Sequence, residues 1–381
     1  MAGRPIQLVL AAFVVAALVG CGGAQRWGGS RSDRDESAAF ERILRDGRGS
    51  VAVGVSAAVV ERGRLRWSGG SGVGDLRERR PVTGSTVFGL GSVTKTFVAA
   101  LALQKSQQGV LDLDASAARW FPGSGLDAKI TVRRLLNHTS GLFGVDENPA
   151  YIRAVDRERH RRWTPEQTLR YVRRPYFAPG KGWHYSDTNY VLAGLVIERA
   201  TRSSVAAQMQ SSFFEPLRLL RTGVQPQVKA PPTAAHAYGD PQRSGTIRDL
   251  SRGMRWIPYD SLASTEWTSG GMFASAEDVA RFGDALFTGE LLKPSTIKEM
   301  TDWVEGVGFE SYLGYGLGIG KRFDPDAGGE LWGSLGRIPG FKADLWHVPS
   351  RGRTVAVLAN DDRIDTTAVA DALLHEADAR R

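Results

Sequence analysis

Two stretches of the chain place a serine three residues before a lysine, a spacing that suits transfer of an acyl group. They are Ser92–Lys95 (SVTK) and Ser295–Lys298 (STIK). On a helix, residues three positions apart share a face with Cβ atoms about 5–6 Å apart, so the amine can accept the hydroxyl proton. A serine at a helix N-terminus gains further, because free amides and the helix dipole favour developing negative charge.

The surrounding residues distinguish the two copies. Ser92 follows a predicted strand and Gly91, which lets the backbone turn tightly, and it precedes an apolar helix suited to burial. Ser295 follows Pro294, as is typical of a helix cap on the surface. We therefore predict that Ser92 is the nucleophile and Lys95 its partner. Taken alone, Ser92 fits equally well a helix cap with a surface lysine nearby.

A loop rich in aromatic and polar residues supplies a third candidate. It runs from Pro179 to Tyr190 and contains Tyr185, and a helix is predicted to follow from about Val191. A tyrosine beside a serine–lysine pair can carry the proton, provided that the ammonium lowers its pKa from the usual value of about 10. Without such neighbours, Tyr185 would more often be a packing residue.

The elements that must position these residues are predicted from hydrophobic patterns. A β-branched run over 51–60 and a return strand over 64–69 predict a hairpin. Later strands are predicted at 315–320, 330–335, 341–348 and 354–360. Helices are predicted over 38–45, 92–108 and 366–379, and 130–300 is mostly helical. The pattern predicts an α/β (α+β) fold: a central antiparallel sheet built from N- and C-terminal strands, flanked by helices, with an inserted mostly helical lobe.

The first residues are typical of an export signal. Arg4 precedes an apolar run from Ile6 to Val19, which is shorter than the ~20 residues that span a bilayer. Leu18–Cys21 (LVGC) resembles a bacterial lipobox, so we predict a signal peptide over 1–21 and a lipid on Cys21. The protein would then face the extracytoplasmic side of the cell membrane. An ordinary secretory peptide or a short anchor are the alternatives.

Composition narrows the other possibilities. Cys21 is the only cysteine, which excludes disulfides and cysteine catalysis. The net charge of +8 comes from scattered arginines, so we predict solvated surface and no nucleic-acid partner. The six histidines lack metal-ligand spacing, and no metal or cofactor is predicted. Residues 22–37 are predicted to be a flexible tether, followed by one domain over 38–381, with its α/β part at about 38–91 and 310–381 and its helical part at about 92–309.

Taken in order along the chain, several stretches resemble the β-lactamase-related serine hydrolases, which include class C β-lactamases, D-Ala-D-Ala carboxypeptidases and family VIII carboxylesterases. Each stretch is weak alone, and the resemblance covers about residues 50–360. The tyrosine loop is one of them. The others are 88–97 (FGLGSVTKTF), 111–114 (LDLD), 130–142 (ITVRRLLNHTSGL), 215–217 (EPL), 269–272 (SGGM), 275–278 (SAED) and 339–341 (PGF).

The resemblance implies an acyl-enzyme mechanism on a small acyl, ester or peptide substrate, with cell-wall material as one source. Ser92 would attack the carbonyl, and Lys95 and Tyr185 would share the proton transfers. The oxyanion would lie between the backbone amides of Ser92 and Arg337. Two preorganised donors of this kind contribute several kcal/mol to transition-state stabilisation.

The sequence departs from the family at two motifs. Where the family has Tyr-x-Asn, Asp187 stands, and a carboxylate near Lys95 would stabilise its ammonium; a protonated Asp187 or a substituting Asn189 are the alternatives. The third motif reads 334–336 (SLG), so Ser334 and Gly336 are aligned with it but the family's Lys or His is missing. We predict weak activity on substrates with a carboxylate and a preference for neutral esters or amides, although Arg337 could restore a positive charge.

Two hypotheses from different classes follow. The first is an active serine hydrolase anchored in the envelope. The second is a non-catalytic lipoprotein that keeps the fold and binds cell-wall peptide or a partner, which the two departures make reasonable. Retention of the serine, the lysine and the tyrosine favours the first. The sequence leaves the natural substrate and the oligomeric state open.

Overall fold

The computed structural model describes residues 31–50, 53–240 and 246–379. The strands are β1 (Val55–Glu61), β2 (Arg64–Ser71), β3 (Val73–Asp75), β4 (Arg80–Pro81), β5 (Val87–Gly89), β6 (Gly223–Val224), β7 (Tyr238–Gly239), β8 (Arg248–Asp249), β9 (Met272–Ser275), β10 (Val304–Glu305), β11 (Gly314–Tyr315), β12 (Gly320–Asp324), β13 (Gly329–Ile338), β14 (Phe341–Val348) and β15 (Arg353–Ala359). The helices are α1 (Arg31–Arg48), α2 (Val93–Gln107), α3 (Val132–Leu136), α4 (Pro149–Arg157), α5 (Pro165–Leu169), α6 (Asp187–Thr201), α7 (Val205–Met209), α8 (Asp260–Gly270), α9 (Ala276–Phe287), α10 (Pro294–Met300) and α11 (Thr366–Ala379).

The main sheet joins the two ends of the domain. Its eight antiparallel strands have the order β10-β11-β12-β13-β14-β15-β1-β2. The pair that joins the two ends of the chain, β1 and β15, runs in register from Val55 opposite Ala359 to Glu61 opposite Arg353. A second, three-stranded sheet, β5-β9-β6, lies next to the nucleophile stretch. The predicted α/β fold with a central antiparallel sheet is confirmed.

Both faces of the main sheet are covered. Because side chains alternate along a strand, Val55, Ala57 and Val59 of β1 pack in the cluster that contains α1 and α11, whereas Ala58 and Val60 pack in the cluster that contains α2 and α9. This double burial explains why the strand reads as a continuous apolar run. The sheet is therefore a middle layer between two terminal helices and the helical lobe.

Three predicted boundaries were wrong. α1 begins at Arg31 rather than Ala38, so residues 31–37 of the expected tether are helical. The strand predicted over 315–320 is divided between β11 and β12, because Gly318 has a φ of +77° and the chain turns there. α6 begins at Asp187, four residues before the predicted start.

The predictions for the N-terminus are not tested by the structure. Cys21 and the signal peptide lie outside the described residues. Within the described ranges, no helix combines the length and the apolar character needed to cross a lipid bilayer.

α2 is buried along most of its length, so a cavity in its packing should lower the stability of the protein. Phe97 is fully buried, and its ring stacks on Phe282 of α9 with centroids 3.6 Å apart. We expect Phe97→Ala to lower the free energy of unfolding by about 3–5 kcal/mol, because it leaves a cavity in the core. Urea denaturation followed by circular dichroism measures this change. Phe323→Ala, at a side chain that is 64% exposed, is the control, and equal stability of the two variants would contradict the described packing.

Candidate active site

Ser92 lies at the junction between β5 and α2. It is the N-cap residue of α2, and its side chain makes no capping hydrogen bond, so the hydroxyl is available to other groups. Gly91 has a φ of +52°, and a Cβ at that position would lie 2.7 Å from the backbone nitrogen of Arg337. Only glycine lets the two chain segments approach this closely without strain. The tight turn that places Ser92 is therefore built around Gly91.

The second serine–lysine copy has a different setting. Ser295 is exposed at the second residue of α10, whose N-cap is Lys293. The surface location was predicted correctly, whereas the capping role was not. The two copies share a spacing but not an environment.

The hydroxyl of Ser92 accepts hydrogen bonds from both predicted partners. Lys95 Nζ donates to Ser92 Oγ at 3.0 Å, and Tyr185 Oη donates to the same atom at 2.8 Å. These three side chains come from α2 and from the loop that precedes α6. The convergence that the hydrolase hypothesis requires is therefore present.

Lys95 is only 1% exposed, so protein groups rather than water surround its amine. Its Nζ donates to the carbonyl of Ser269 at 2.8 Å and lies 2.5 Å from Asp187 Oδ1. The contact with Asp187 is an ion pair rather than a well-directed hydrogen bond, since its oxygen meets no hydrogen-bond geometry. The carboxylate that replaces the family's amide at the second motif therefore lies directly against the amine of Lys95.

Asn189 does not replace the missing amide. It is fully buried, where its Oδ1 accepts from Ser140 Oγ at 2.6 Å and its amide nitrogen lies 3.0 Å from His138 Nδ1. His138 in turn packs its ring against Tyr185 with centroids 4.4 Å apart. Asn189 therefore supports the tyrosine loop from behind, and Asp187 alone occupies the position next to Lys95.

The role predicted for Tyr185 requires a lowered pKa, but its environment raises that pKa. Burial raises the pKa of the Tyr185 phenol well above its ordinary value, and the Asp187 carboxylate raises that pKa further. Phe309 stacks on the ring with centroids 4.4 Å apart and planes inclined by 7°. Tyr185 is thus a neutral phenol that donates its proton toward Ser92, and a tyrosinate is not the resting form.

At the third motif, the backbone of β13 contributes to the site, and the family's charged side chain is missing. Ser334 is 3% exposed and does not line the cavity, whose wall on β13 consists of Leu335 and Arg337. A Cβ on Gly336 would lie 2.0 Å from the carbonyl of Leu90, so this glycine allows β13 to approach the nucleophile turn. The Leu335 amide donates to Tyr312 Oη, and the Arg337 amide, two residues further along the strand, points to the same side.

The predicted oxyanion position is compatible with this backbone. The amides of the first helical turn, Val93 to Lys95, donate to carbonyls at 90–92, so the Ser92 amide comes immediately before them at the helix start. The Arg337 amide lies beside Gly91, as the close approach of that glycine shows. A carbonyl oxygen placed above Ser92 can therefore meet two backbone donors.

Ser92 opens into a cavity of about 520 Å³, which is within the size range of small-molecule sites. Trp183, Tyr185 and Phe309 form its aromatic part. The complete lining is Ser92, Asp146, Glu147, Trp183, His184, Tyr185, Asp187, Val307, Gly308, Phe309, Glu310, Leu335 and Arg337.

Four carboxyl groups line this cavity, and only one of them, Asp187, was predicted from the sequence. Glu147 is held at the rim, where His184 Nε2 lies 2.6 Å from its Oε1 and Tyr176 Oη donates to its Oε2 at 2.5 Å. Glu310 lies 3.5 Å from the Arg337 guanidinium. The fourth, Asp146, has a buried oxygen without a partner, and burial followed by the Asp187 carboxylate raises the pKa of Asp146 to about 7. The described wall is therefore rich in acid groups.

Asp324, Asp326 and His375 form one group away from this lining with oxygen and nitrogen atoms close enough to share an ion. They lie on the β12–β13 turn and on α11, and His375 Nε2 already contacts Asp324 Oδ2 at 2.8 Å. This direct contact brings two of the three residues together. The absence of a bound metal stays a prediction.

Comparison with known proteins agrees with this geometry. The Esterase EstB of Burkholderia gladioli is 31% identical over 317 residues, which cover 74% of this chain and 77% of the esterase. The D-stereospecific amidohydrolase from Streptomyces sp. is 33% identical, with a TM-score of 0.77 over 88% of this chain and 98% of the amidohydrolase. The D-amino acid amidase from Ochrobactrum anthropi SV3 is 27% identical, with a TM-score of 0.78 over 91% and 99% of the two chains.

A family model described as Beta-lactamase matches residues 40–379, which is nearly the whole described domain. The match includes the serine, the lysine and the tyrosine that meet at the cavity, together with the sheet and the lobe that position them. The expected resemblance is thereby confirmed. The chain belongs to the beta-lactamase family and is a serine hydrolase.

Proposed function

We propose that this hydrolase cleaves small esters or amides whose acyl part carries a free amine and whose scissile bond has no carboxylate beside it. The observation that carries the proposal is that Ser92 Oγ receives Lys95 and Tyr185 at the mouth of a cavity lined by carboxyl groups.

The reaction begins when a carbonyl carbon enters the position above Ser92. Lys95, acting in its amine form, takes the hydroxyl proton as the bond between Ser92 Oγ and the carbon forms. The oxyanion is stabilised by the amides of Ser92 and Arg337. As the carbon–nitrogen or carbon–oxygen bond to the leaving group breaks, Tyr185 gives that group its proton and receives one from Lys95. Water then attacks the acyl ester through the same groups in reverse and restores the Ser92 hydroxyl.

The charge of the wall argues against substrates with a carboxylate near the reacting carbonyl. Ser334 brings no charge and is buried, and the guanidinium of Arg337 already faces Glu310 at 3.5 Å. A substrate carboxylate would therefore meet acid groups without a compensating free cation among the lining side chains of the described residues. An ammonium would gain from the same groups, since hydrogen bonds between charged partners are stronger than neutral ones.

The names of the relatives are consistent with this polarity. One of the similar structures is an amidase for D-amino acids and was determined in complex with L-phenylalanine amide, and another relative is an esterase. Family membership and the joined Ser92, Lys95 and Tyr185 favour catalysis over the non-catalytic envelope protein.

The substrate preference is tested with matched amides and esters. We expect kcat/KM for D-phenylalanine p-nitroanilide to exceed that for its N-acetyl derivative by about tenfold or more, because a hydrogen bond to a charged group contributes about 1.5–3 kcal/mol. A chromogenic cephalosporin should react more slowly than a p-nitrophenyl ester. Equal rates for the free and acetylated amines, or faster cephalosporin hydrolysis, would contradict the proposal.

The nucleophile is tested with the two serines that share the same spacing. Ser92→Ala should abolish hydrolysis and covalent labelling by a fluorophosphonate. Ser295→Ala, on the exposed start of α10, should retain both. Labelling that survives in Ser92→Ala would show that a different residue is the nucleophile.

The proton carrier is tested by removing one oxygen. We expect Tyr185→Phe to lower kcat/KM on a p-nitrophenyl ester by about 10²–10⁴-fold, which is the usual contribution of a positioned acid or base. Tyr259→Phe is the matched control, because Tyr259 also uses its hydroxyl in a hydrogen bond, to Asp156 Oδ1 at 2.9 Å, but does not line the cavity. Similar rates in both variants would make Tyr185 a packing residue.

We also propose that the enzyme is anchored to the outer side of the cell membrane through a lipid on Cys21. The support is the apolar N-terminal run that ends in Leu18–Cys21. Cells given radioactive palmitate should yield a labelled protein, and Cys21→Ser should lose the label. A label-free wild type with a shortened N-terminus would favour the ordinary secretory peptide.

A further inference from the structure

Glu310 lies on the loop between β10 and β11, and this loop forms one side of the cavity. Phe309 anchors the loop, because its ring stacks on the ring of Tyr185 with centroids 4.4 Å apart. The Tyr312 amide donates to the Phe309 carbonyl at 3.1 Å and closes the turn that contains Glu310. The acid therefore comes directly after a side chain that packs on the proton carrier, and the same loop places both of them in the cavity wall.

The carboxylate of Glu310 is directed to the guanidinium of Arg337. Glu310 Oε1 lies 3.5 Å from Arg337 Nε, and the two side chains are 36% and 41% exposed. This distance exceeds the about 2.7–2.9 Å of a charge-assisted hydrogen bond, and exposed ion pairs contribute little to stability. The consequence of the pair is electrostatic: one negative charge cancels one positive charge at this end of the cavity.

Arg337 has a special place in the site. Among the described residues that line the cavity, it is the only arginine or lysine. Lys342, which lies opposite Arg337 on β14, does not line the cavity and donates from Nζ to the Ile364 carbonyl at 3.1 Å. A substrate carboxylate that enters the cavity therefore has one guanidinium to bind, and Glu310 already faces that guanidinium.

We propose that Glu310 is a specificity-determining residue: its carboxylate occupies Arg337 in place of a substrate carboxylate and so excludes acyl groups that carry one. The inference rests on the proposed function. It assigns to one side chain the discrimination against carboxylates that the wall as a whole was taken to provide. It also implies that a single substitution can open the site to acidic substrates.

The other acids of the wall cannot act in this way. Of the described lining acids, Glu310 is the one that pairs with Arg337, whereas Glu147 Oε1 lies 2.6 Å from His184 Nε2. Any of these acids repels a substrate carboxylate through space. Removal of the Glu310 charge has a further effect, because it leaves a permanently charged guanidinium that can bind a carboxylate through two parallel hydrogen bonds.

The experiment compares two esters that differ in one charge. The p-nitrophenyl esters of glutaric acid and of its monomethyl ester share the acyl chain and the leaving group, but only the first carries a carboxylate. Neither ester carries an amine, so the result does not depend on the proposed preference for amines. The readout is the ratio of kcat/KM for the charged ester to kcat/KM for the neutral ester, which a general loss of activity does not change.

We expect the wild type to prefer the neutral ester and Glu310→Gln to raise the ratio by about tenfold or more, because hydrogen bonds to charged groups are strong. Glu147→Gln is the matched control. It also removes one negative charge from the lining but frees no cation, so its ratio should rise clearly less. Adding Arg337→Gln to Glu310→Gln should return the ratio toward the wild-type value, since this change removes the guanidinium and keeps the backbone amide. Circular dichroism confirms that each variant is folded.

The outcomes separate the inference from the proposed function. Where the wild type prefers the neutral ester, three results would overturn the inference and leave the proposed function intact. These are an unchanged ratio in Glu310→Gln, an equal rise in Glu147→Gln, or a gain that persists when Arg337 is also replaced. A wild type that prefers the charged ester, or that hydrolyses neither ester, would overturn both.

Discussion

The site depends on keeping the charge of one lysine inside the protein. Moving an ammonium from water into an apolar interior costs several kcal/mol unless partners replace its hydration. For Lys95 the partners are Asp187 at 2.5 Å and the Ser269 carbonyl at 2.8 Å, which come from α6 and α8. Helices α2, α6 and α8 must therefore pack against one another before the nucleophile has a partner. The arrangement that stabilises the lobe is the same arrangement that positions the amine.

A second constraint is the close contact between the lobe and the main sheet. Gly91 on the nucleophile turn and Gly336 on β13 face positions where a Cβ would lie 2.7 Å or less from the opposite backbone. Because no side chain separates them, the amide of Arg337 reaches the neighbourhood of Ser92. The partners of Lys95 come from helices of the lobe, whereas one of the two amides for the oxyanion comes from β13 of the main sheet. The cavity lies where the two requirements meet.

Much of this could be predicted from the sequence because it depends on local patterns. The spacing of Ser92 and Lys95, the glycine before them and the apolar runs of the C-terminal strands are short-range signals. Asp146 and Glu310 could not be predicted, because they come from two loops far apart in the sequence, and their places in the cavity wall exist only after the domain has folded. The start of α6 was misplaced for a related reason. An aromatic-polar stretch is typical of a loop, and the contact between Asp187 and Lys95 is not visible in the sequence.

The two departures from the family pattern are best understood as one change of charge. The family pattern has a basic residue, lysine or histidine, at the third motif and an uncharged asparagine at the second. Here Ser334 removes the cation, Asp187 adds an anion, and the guanidinium of Arg337 is directed to Glu310. Both departures therefore change the charge of the site in the same direction, toward a more negative site. The three other carboxyl groups of the cavity lining, Asp146, Glu147 and Glu310, add to the same polarity.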